Sequence, residues 1–221
     1  RQMCIRDRLG IYGACFKIAV VMVMFTQAFR YAYEPFIFAK NKSDDNKKAY
    51  SEAMKYFIIF ALFIFLGVMF YIDILKYFVG PAYYPGLRVV PIVMLGELFF
   101  GIYFNLSLWY KLIDQTRWGA YFSTIGCVAT VSIILLFGPS YGYMACAWAS
   151  FFCNLLMMLL SYFVGQKKFP IEYDLKSAFL YFGVATVLYV AGMALPIQSE
   201  WLRLGYRTIL LGLSLIHISE P

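Results

Sequence analysis

The sequence predicts an all-α protein, a polytopic transmembrane helix bundle with six complete helices and a truncated seventh. Three observations predict it. Hydrophobic residues make up 62% of the 221-residue chain, aromatics 20% and charged residues 14%, more apolar surface than a water-exposed domain can bury. The apolar runs reach about 20 residues, enough to cross a hydrocarbon core of roughly 30 Å at 1.5 Å per residue, and they lack the period-two alternation of barrel strands. Short polar segments rich in Gly, Pro and Lys separate the runs, and their basic residues fall unevenly on alternate connections.

The spans read in order as 11–33, 56–78, 89–110, 118–137, 142–165 and 178–195, with a last one opening near Trp201 and expected to be cut short. The first holds the apolar run IAVVMVMF and ends at Glu34 and Pro35, where Pro35 is expected to kink the helix before the loop NKSDDNKK. The second carries FIIFALFIFLGVMF and is stopped by GPAYYPG. The third begins beside Pro91 and ends at KLIDQTR; the fourth ends at GPSYG. The fifth presents Gly142, Ala145, Cys146, Ala149, Ser150 and Cys153 at spacings of three and four, a thin face on which another backbone can come close. QKKFPIEYDLK follows it, and PIQSEWLR follows the sixth.

Lysine and arginine orient the bundle. The connections after spans one, three and five hold Lys40, Lys42, Lys47, Lys48, Lys111, Arg117, Lys167, Lys168 and Lys176, nine residues against three, Lys76, Arg88 and Arg203, in the others. An excess of that size places the odd connections in the cytoplasm. The positive balance is thereby absorbed by topology and contact with the lipid bilayer, and no nucleic-acid partner is expected.

The two ends read differently from the rest. Met3 to Arg8 can be back-translated as ATGTGTATAAGAGACAG, and the reverse complement, CTGTCTCTTATACACAT, encodes Leu213 to Ile218 in frame. Complementary ends of this kind resemble a transposase adapter used in sequencing, so residues 1–8 and 213–221 are expected to be adapter translation outside the fold. The only histidine, His217, lies there. Residues 9–212 then carry 16 Lys and Arg against 10 Asp and Glu, +6, with Cys15, Cys127, Cys146 and Cys153. Without an imidazole, a histidine-based metal site, triad or proton relay is not expected, and no metal or other cofactor is expected at all. No Ser nucleophile beside a base and no glycine-rich phosphate loop occurs, so the chain does not read as an enzyme.

Ionisable groups within spans cost about 2.5–3.5 kcal/mol each even on the mild insertion scale, so each needs a partner, water or a function. Lys17, Gln27, Arg30 and Glu34 interrupt the first span. At about 100° per residue, Gln27, Arg30 and Glu34 share a face within about 60°, with Lys17 about 80–140° away. Arg30 and Glu34, at i and i+4, make either a structural ion pair or the wall of a hydrated cavity in which Arg30 and Lys17 attract an anion. Glu97 is isolated in the third span between Gly96 and Gly101. It is either a carboxylic acid kept neutral by burial or a carboxylate that couples transport to an ion gradient. Glu97, Gly101 and Asn105 form one stripe, with Tyr103 and Ser107 adding hydrogen-bonding groups. Asp73 and Lys76 sit near a span end, where snorkelling suffices.

The order GIYGACFKIAVVMVMFTQAFRYAYEPFIFAK, a charged loop, MKYFIIFALFIFLGVMFYIDILKYFVGPAYYPGLRVVPIVMLGELFFGIYFNLSLWYKL, then DQTRWGAYFSTIGC and GYMACAWASFFCNLLMMLLSYFVGQKKFPIEYDL resembles the polysaccharide biosynthesis proteins of Bacteroidetes-type bacteria. These belong to the superfamily of multidrug exporters, lipid II flippases and oligosaccharidyl-lipid flippases. The resemblance implies that residues 9–212 are a fragment of the C-terminal lobe, with Glu34-Pro35 ending that lobe's second helix. It implies alternating access around a cationic cavity that accepts the pyrophosphate of an undecaprenyl-pyrophosphate-linked oligosaccharide. That gives a flippase of the bacterial inner membrane, with other polysaccharide-assembly proteins as further partners. Arg30, Lys17, Gln27, Glu34 and Asn105 are the expected substrate-binding residues, with Glu97 for coupling. The alternative is a cation-coupled exporter of small molecules.

Overall fold

The computed structural model describes residues 2–40, 46–194 and 200–219, and all of the regular elements among them are helical. They are α1 (Gln2–Lys40), α2 (Asn46–Phe70), a short α3 (Ile72–Leu75), α4 (Val90–Leu106), α5 (Leu108–Leu112), α6 (Arg117–Tyr141), α7 (Tyr143–Lys168), α8 (Leu175–Ala194) and α9 (Glu200–Ser219). Among the described residues, six stretches are long and apolar enough to cross a membrane: Gly10–Ile37, Lys47–Phe70, Pro81–Leu112, Arg117–Tyr141, Tyr143–Lys168 and Leu175–Met193. The molecule is a multi-pass membrane bundle. α9, which opens at the position expected for a seventh helix, is not among the six.

The second span is displaced from its predicted place at 56–78. α2 starts ten residues earlier, at Asn46, and stops at Phe70. Its first turns hold Lys47, Lys48, Glu52 and Lys55, residues that form helix readily at a membrane surface although they interrupt the apolar run. At its end the Phe70 carbonyl accepts a hydrogen bond from Arg207 of α9 at 3.0 Å, a partner from outside the helix. Gly80, at φ +86°, then reverses the chain, and Pro81 opens a 3₁₀ stretch, Pro81–Val89, that runs into α4. Ser107 divides α4 from α5 and returns its hydroxyl to the Phe104 carbonyl at 2.6 Å.

Two predicted stops are not stops. α1 continues through Pro35 to Lys40. GPSYG is not a loop: Pro139 sits in the last turn of α6, and Gly142 alone, at φ +58°, joins α6 to α7. Proline is tolerated where the carbonyls it strands lie on an exposed turn. Lys42 of the first connection lies outside the described residues. At the ends of the chain, the helical backbone of α1 and α9 runs through 2–8 and 213–219.

α4 lies at the centre, packed against α1, α2 and α7, while α6 packs on α7, and α8 and α9 cover α2. Lipid offers no hydrophobic drive between helices, so close approach has to come from small residues. Gly96 lets the backbone of Phe151 come to 3.3 Å from where its Cβ would be, and Asn154 donates to the Gly96 carbonyl at 3.0 Å. The predicted thin face of α7 is used, with Ala145 and Ala149 buried and the Cys153 thiol donating to the Gly126 carbonyl of α6 at 3.4 Å. α7 also buries Ala147, Asn154 and Ser161, so it packs on two sides.

The start of α2 and the connections after the third and fifth spans gather at one end. Ser51 donates to the Glu172 carbonyl at 2.8 Å, Lys47 lies over Phe169 at 5.0 Å, and Lys168 donates to Gln115 at 3.0 Å. At the other end Tyr71 and Thr208 share a hydrogen bond of 2.7 Å, and Gly86 closes on Ile11 and Cys15. α1 and α4 accordingly run side by side in the same direction.

Candidate functional site

Three charged residues, Arg30, Glu34 and Lys111, meet near the basic end. α1 supplies Arg30 and Glu34 one turn apart, α4 supplies Phe104, and α5 supplies Lys111. Glu34 Oε1 accepts Lys111 Nζ at 2.5 Å and Arg30 Nε at 3.4 Å. The Arg30 guanidinium lies 4.0 Å from the centre of the Phe104 ring, and Lys111 Nζ lies 5.1 Å from the same ring. A cation over an aromatic face is held by the ring quadrupole, most strongly where water is scarce. The side chains of Arg30, Lys111 and Glu34 keep 34%, 26% and 25% of their surface, which leaves them reachable from outside the bundle. Two cations share one carboxylate, and the cluster carries a net positive charge.

The other predicted residues are placed apart. Lys17 is exposed on the outer side of α1, in line with Val21, Met24 and Tyr31, and it has no ion-pair partner among the described residues. Thirteen residues of helix, about 20 Å at 1.5 Å per residue, separate it from Arg30. The structure therefore does not bring Lys17 and Arg30 into one chamber. Gln27 is half-buried one turn before Arg30. Asn105 is 7% exposed and donates to the Gly101 carbonyl of its own helix at 3.1 Å.

The stripe through Glu97, Gly101 and Asn105 is packed at its middle. A Cβ on Gly101 would stand 2.2 Å from the Phe57 ring and 3.2 Å from Thr26 Oγ1. Glu97 is half-buried on α4, within electrostatic reach of Tyr12 on α1, and it makes no ion pair among the described residues.

Sequence reasoning missed three participants. Lys111 counted only as a loop charge, and Phe104 carried no signal beyond its two-turn offset from Lys111. The third is Arg207, which is 5% exposed and donates to the carbonyls of Phe70 (3.0 Å) and Gly192 (3.2 Å) and to Asp73 Oδ2 (2.7 Å). Arg203 reaches the same oxygen at 3.3 Å. Asp73, on α3, is therefore the shared acceptor of two α9 arginines in place of the expected snorkelling side chain, and Arg207 ties α9 to α2 and α8 through the Phe70 and Gly192 carbonyls. The i, i+4 spacing of Arg203 and Arg207 was the available clue.

A cleft of about 400 Å³ opens between α2, α4, α7 and α8, lined by residues such as Met54, Ile58, Leu106, Met158, Phe163 and Phe179. Its walls are mostly apolar and suit hydrocarbon, and Ser51, Lys55 and Asp174 also line it. Asp174 caps α8 there, accepting from the backbone N–H of Ser177 at 3.1 Å and from its hydroxyl. The Ser177 hydroxyl, then its N–H, hold the Asp174 carboxyl below the ordinary range, and burial pushes the neighbouring Tyr173 phenol up.

Together the fold and this cluster define a class, a multi-pass α-helical membrane protein with a half-exposed cation pair near one membrane boundary. No protein-family model, curated protein or solved structure matches the chain.

Proposed function

We propose that this chain is part of a transporter that moves a lipid-linked oligosaccharide across a bacterial inner membrane by alternating access. The observation that carries the reading is the Arg30–Glu34–Lys111 cluster, two cations around one carboxylate in an otherwise apolar bundle. A sugar head group cannot cross hydrocarbon unaided, because its hydroxyls lose their hydrogen bonds to water. Guanidinium and ammonium groups beside a hydrated path give the phosphate linkage of such a substrate a counter-charge, and arginine's planar fork suits phosphate oxygens in particular. The substrate this reading names is an undecaprenyl-pyrophosphate-linked oligosaccharide, delivered by polysaccharide-assembly proteins on the cytoplasmic side.

Arg30→Ala and Lys111→Ala in the gene encoding this chain test it. Each removes a charge-assisted contact worth about 1.5–3 kcal/mol, so transport should fall roughly 10- to 100-fold, with lipid-linked intermediate accumulating on the cytoplasmic leaflet at unchanged protein level. Normal surface polysaccharide in Arg30→Ala would remove the cluster from the mechanism.

Glu97, half-buried and without an ion pair among the described residues, favours a second reading, a cation-coupled exporter of small molecules. Glu97→Gln decides whether that carboxylate couples anything. On this reading the variant loses the dependence of transport on external pH, and an unchanged pH profile rules the role out.

A further inference from the structure

Arg30 and Lys111 meet on a single oxygen, since Glu34 Oε1 accepts from both while Arg30 engages it through Nε alone. The guanidinium face rests on Phe104, and the side chain keeps 34% of its surface. An open cation pair at this depth would be filled by the phospholipids around it. We infer that Glu34 is a resident counter-anion that makes the pair selective for a doubly charged pyrophosphate-diester head group over the singly charged phosphodiesters of the bilayer. The inference rests on the reading of this cluster as the substrate's anion site.

The selectivity follows from charge. With Glu34 in place the two cations and one carboxylate sum to +1, and with Glu34 turned away the pair presents +2. A phosphodiester that displaces Glu34 substitutes one negative charge for another. It gains little, and it must break the short Lys111–Glu34 bond that joins α1 to α5. A pyrophosphate diester brings two negative charges and more acceptor oxygens, so it satisfies both cations at once. Glu34 competes from the same helix face as Arg30, four residues away, and an attached competitor acts at a high effective concentration that a freely diffusing monoanion has to overcome. When the head group leaves, the carboxylate returns to Lys111 and the site is closed to bulk lipid again.

The test uses the intact protein in nanodiscs, with the pyrophosphate-diester lipid CDP-diacylglycerol as probe and phosphatidylglycerol as the monoanionic competitor. In wild type, replacing about a third of a phosphatidylcholine background with phosphatidylglycerol should change probe affinity less than about twofold. In Glu34→Gln, the same change should weaken the probe by about tenfold, the size of an ordinary coupling between groups that share a site. Glu34→Ala provides a second variant whose side chain cannot accept from Lys111, and it should behave the same way. Equal competition in wild type and in both variants would overturn the counter-anion role while leaving the anion site standing. Probe binding that is absent in wild type, or indifferent to Arg30→Ala and Lys111→Ala, would overturn the anion site and the counter-anion role together.

Discussion

Arg207 shows how one side chain can tie several elements together. Its fork donates to two carbonyls on different helices and to Asp73, and only 5% of it is exposed. A buried cation survives only with such a set of acceptors. Arg207→Met keeps the volume and leaves the Phe70 and Gly192 carbonyls without their donor, so the protein should lose about 2–3 kcal/mol, seen as a lower thermal midpoint in detergent and faster proteolysis of α9. Arg207→Lys should recover little of this, because a point ammonium cannot span the same acceptors. Asp174 gives a pH-dependent counterpart. Its carboxyl lies below the ordinary range when folded, so its capping of α8 is fully present above the unfolded value and is lost as pH falls through the folded one. Amide exchange in the first turn of α8 should therefore rise on acidification in wild type, and in Asp174→Ala it should be raised at every pH. The Arg30 and Glu34 pair could be read from spacing alone. Lys111 and Asp73 could not, because their partners come from helices distant in the chain.

Among the elements, α4 and α7 are held by proximity of backbone rather than by bulk. Gly96 faces the backbone of Phe151 at 3.3 Å, where no side-chain rearrangement can make room. Gly96→Leu should push α4 off α7 and cost about 1–3 kcal/mol, read as a fall in thermal midpoint and a loss of monodispersity. Gly183→Ala on α8 is the control: nothing lies within 4 Å of its would-be Cβ, and the change should be neutral or raise stability by up to about 1 kcal/mol through helix propensity. The contrast between two helical glycines separates packing from backbone entropy. Small residues at spacings of three and four on α7 were visible in the sequence. That α7 would be gripped on two sides, by α4 and by α6, was not, since a spacing pattern names a face without naming its neighbours.

At the level of the whole molecule, the alternation of connections between two ends is a geometric fact that the lysine count anticipated. Seven of the nine basic residues of the odd connections, Lys47, Lys48, Lys111, Arg117, Lys167, Lys168 and Lys176, have described side chains and lie toward the end where Ser51, Gln115 and Glu172 meet. If that end faces the cytoplasm, a membrane-impermeant thiol reagent applied to whole cells should label Ala82→Cys and spare Lys176→Cys until the membrane is opened. Labelling of Lys176→Cys in sealed cells would invert the topology. Length and apolarity of the runs were enough to specify a helical membrane bundle and the approximate place of its six spans, because a backbone in lipid has to satisfy its own hydrogen bonds and a helix does so locally. The shift of α2, the passage of helices through Pro35 and Pro139, the pinning of α9 by Arg207 and the meeting of Lys111 with Arg30 and Glu34 were decided by tertiary structure. The prolines pass because their turns are exposed, and the other features depend on a donor or an acceptor supplied by another helix; such pairings leave no periodic trace in the chain that takes part in them.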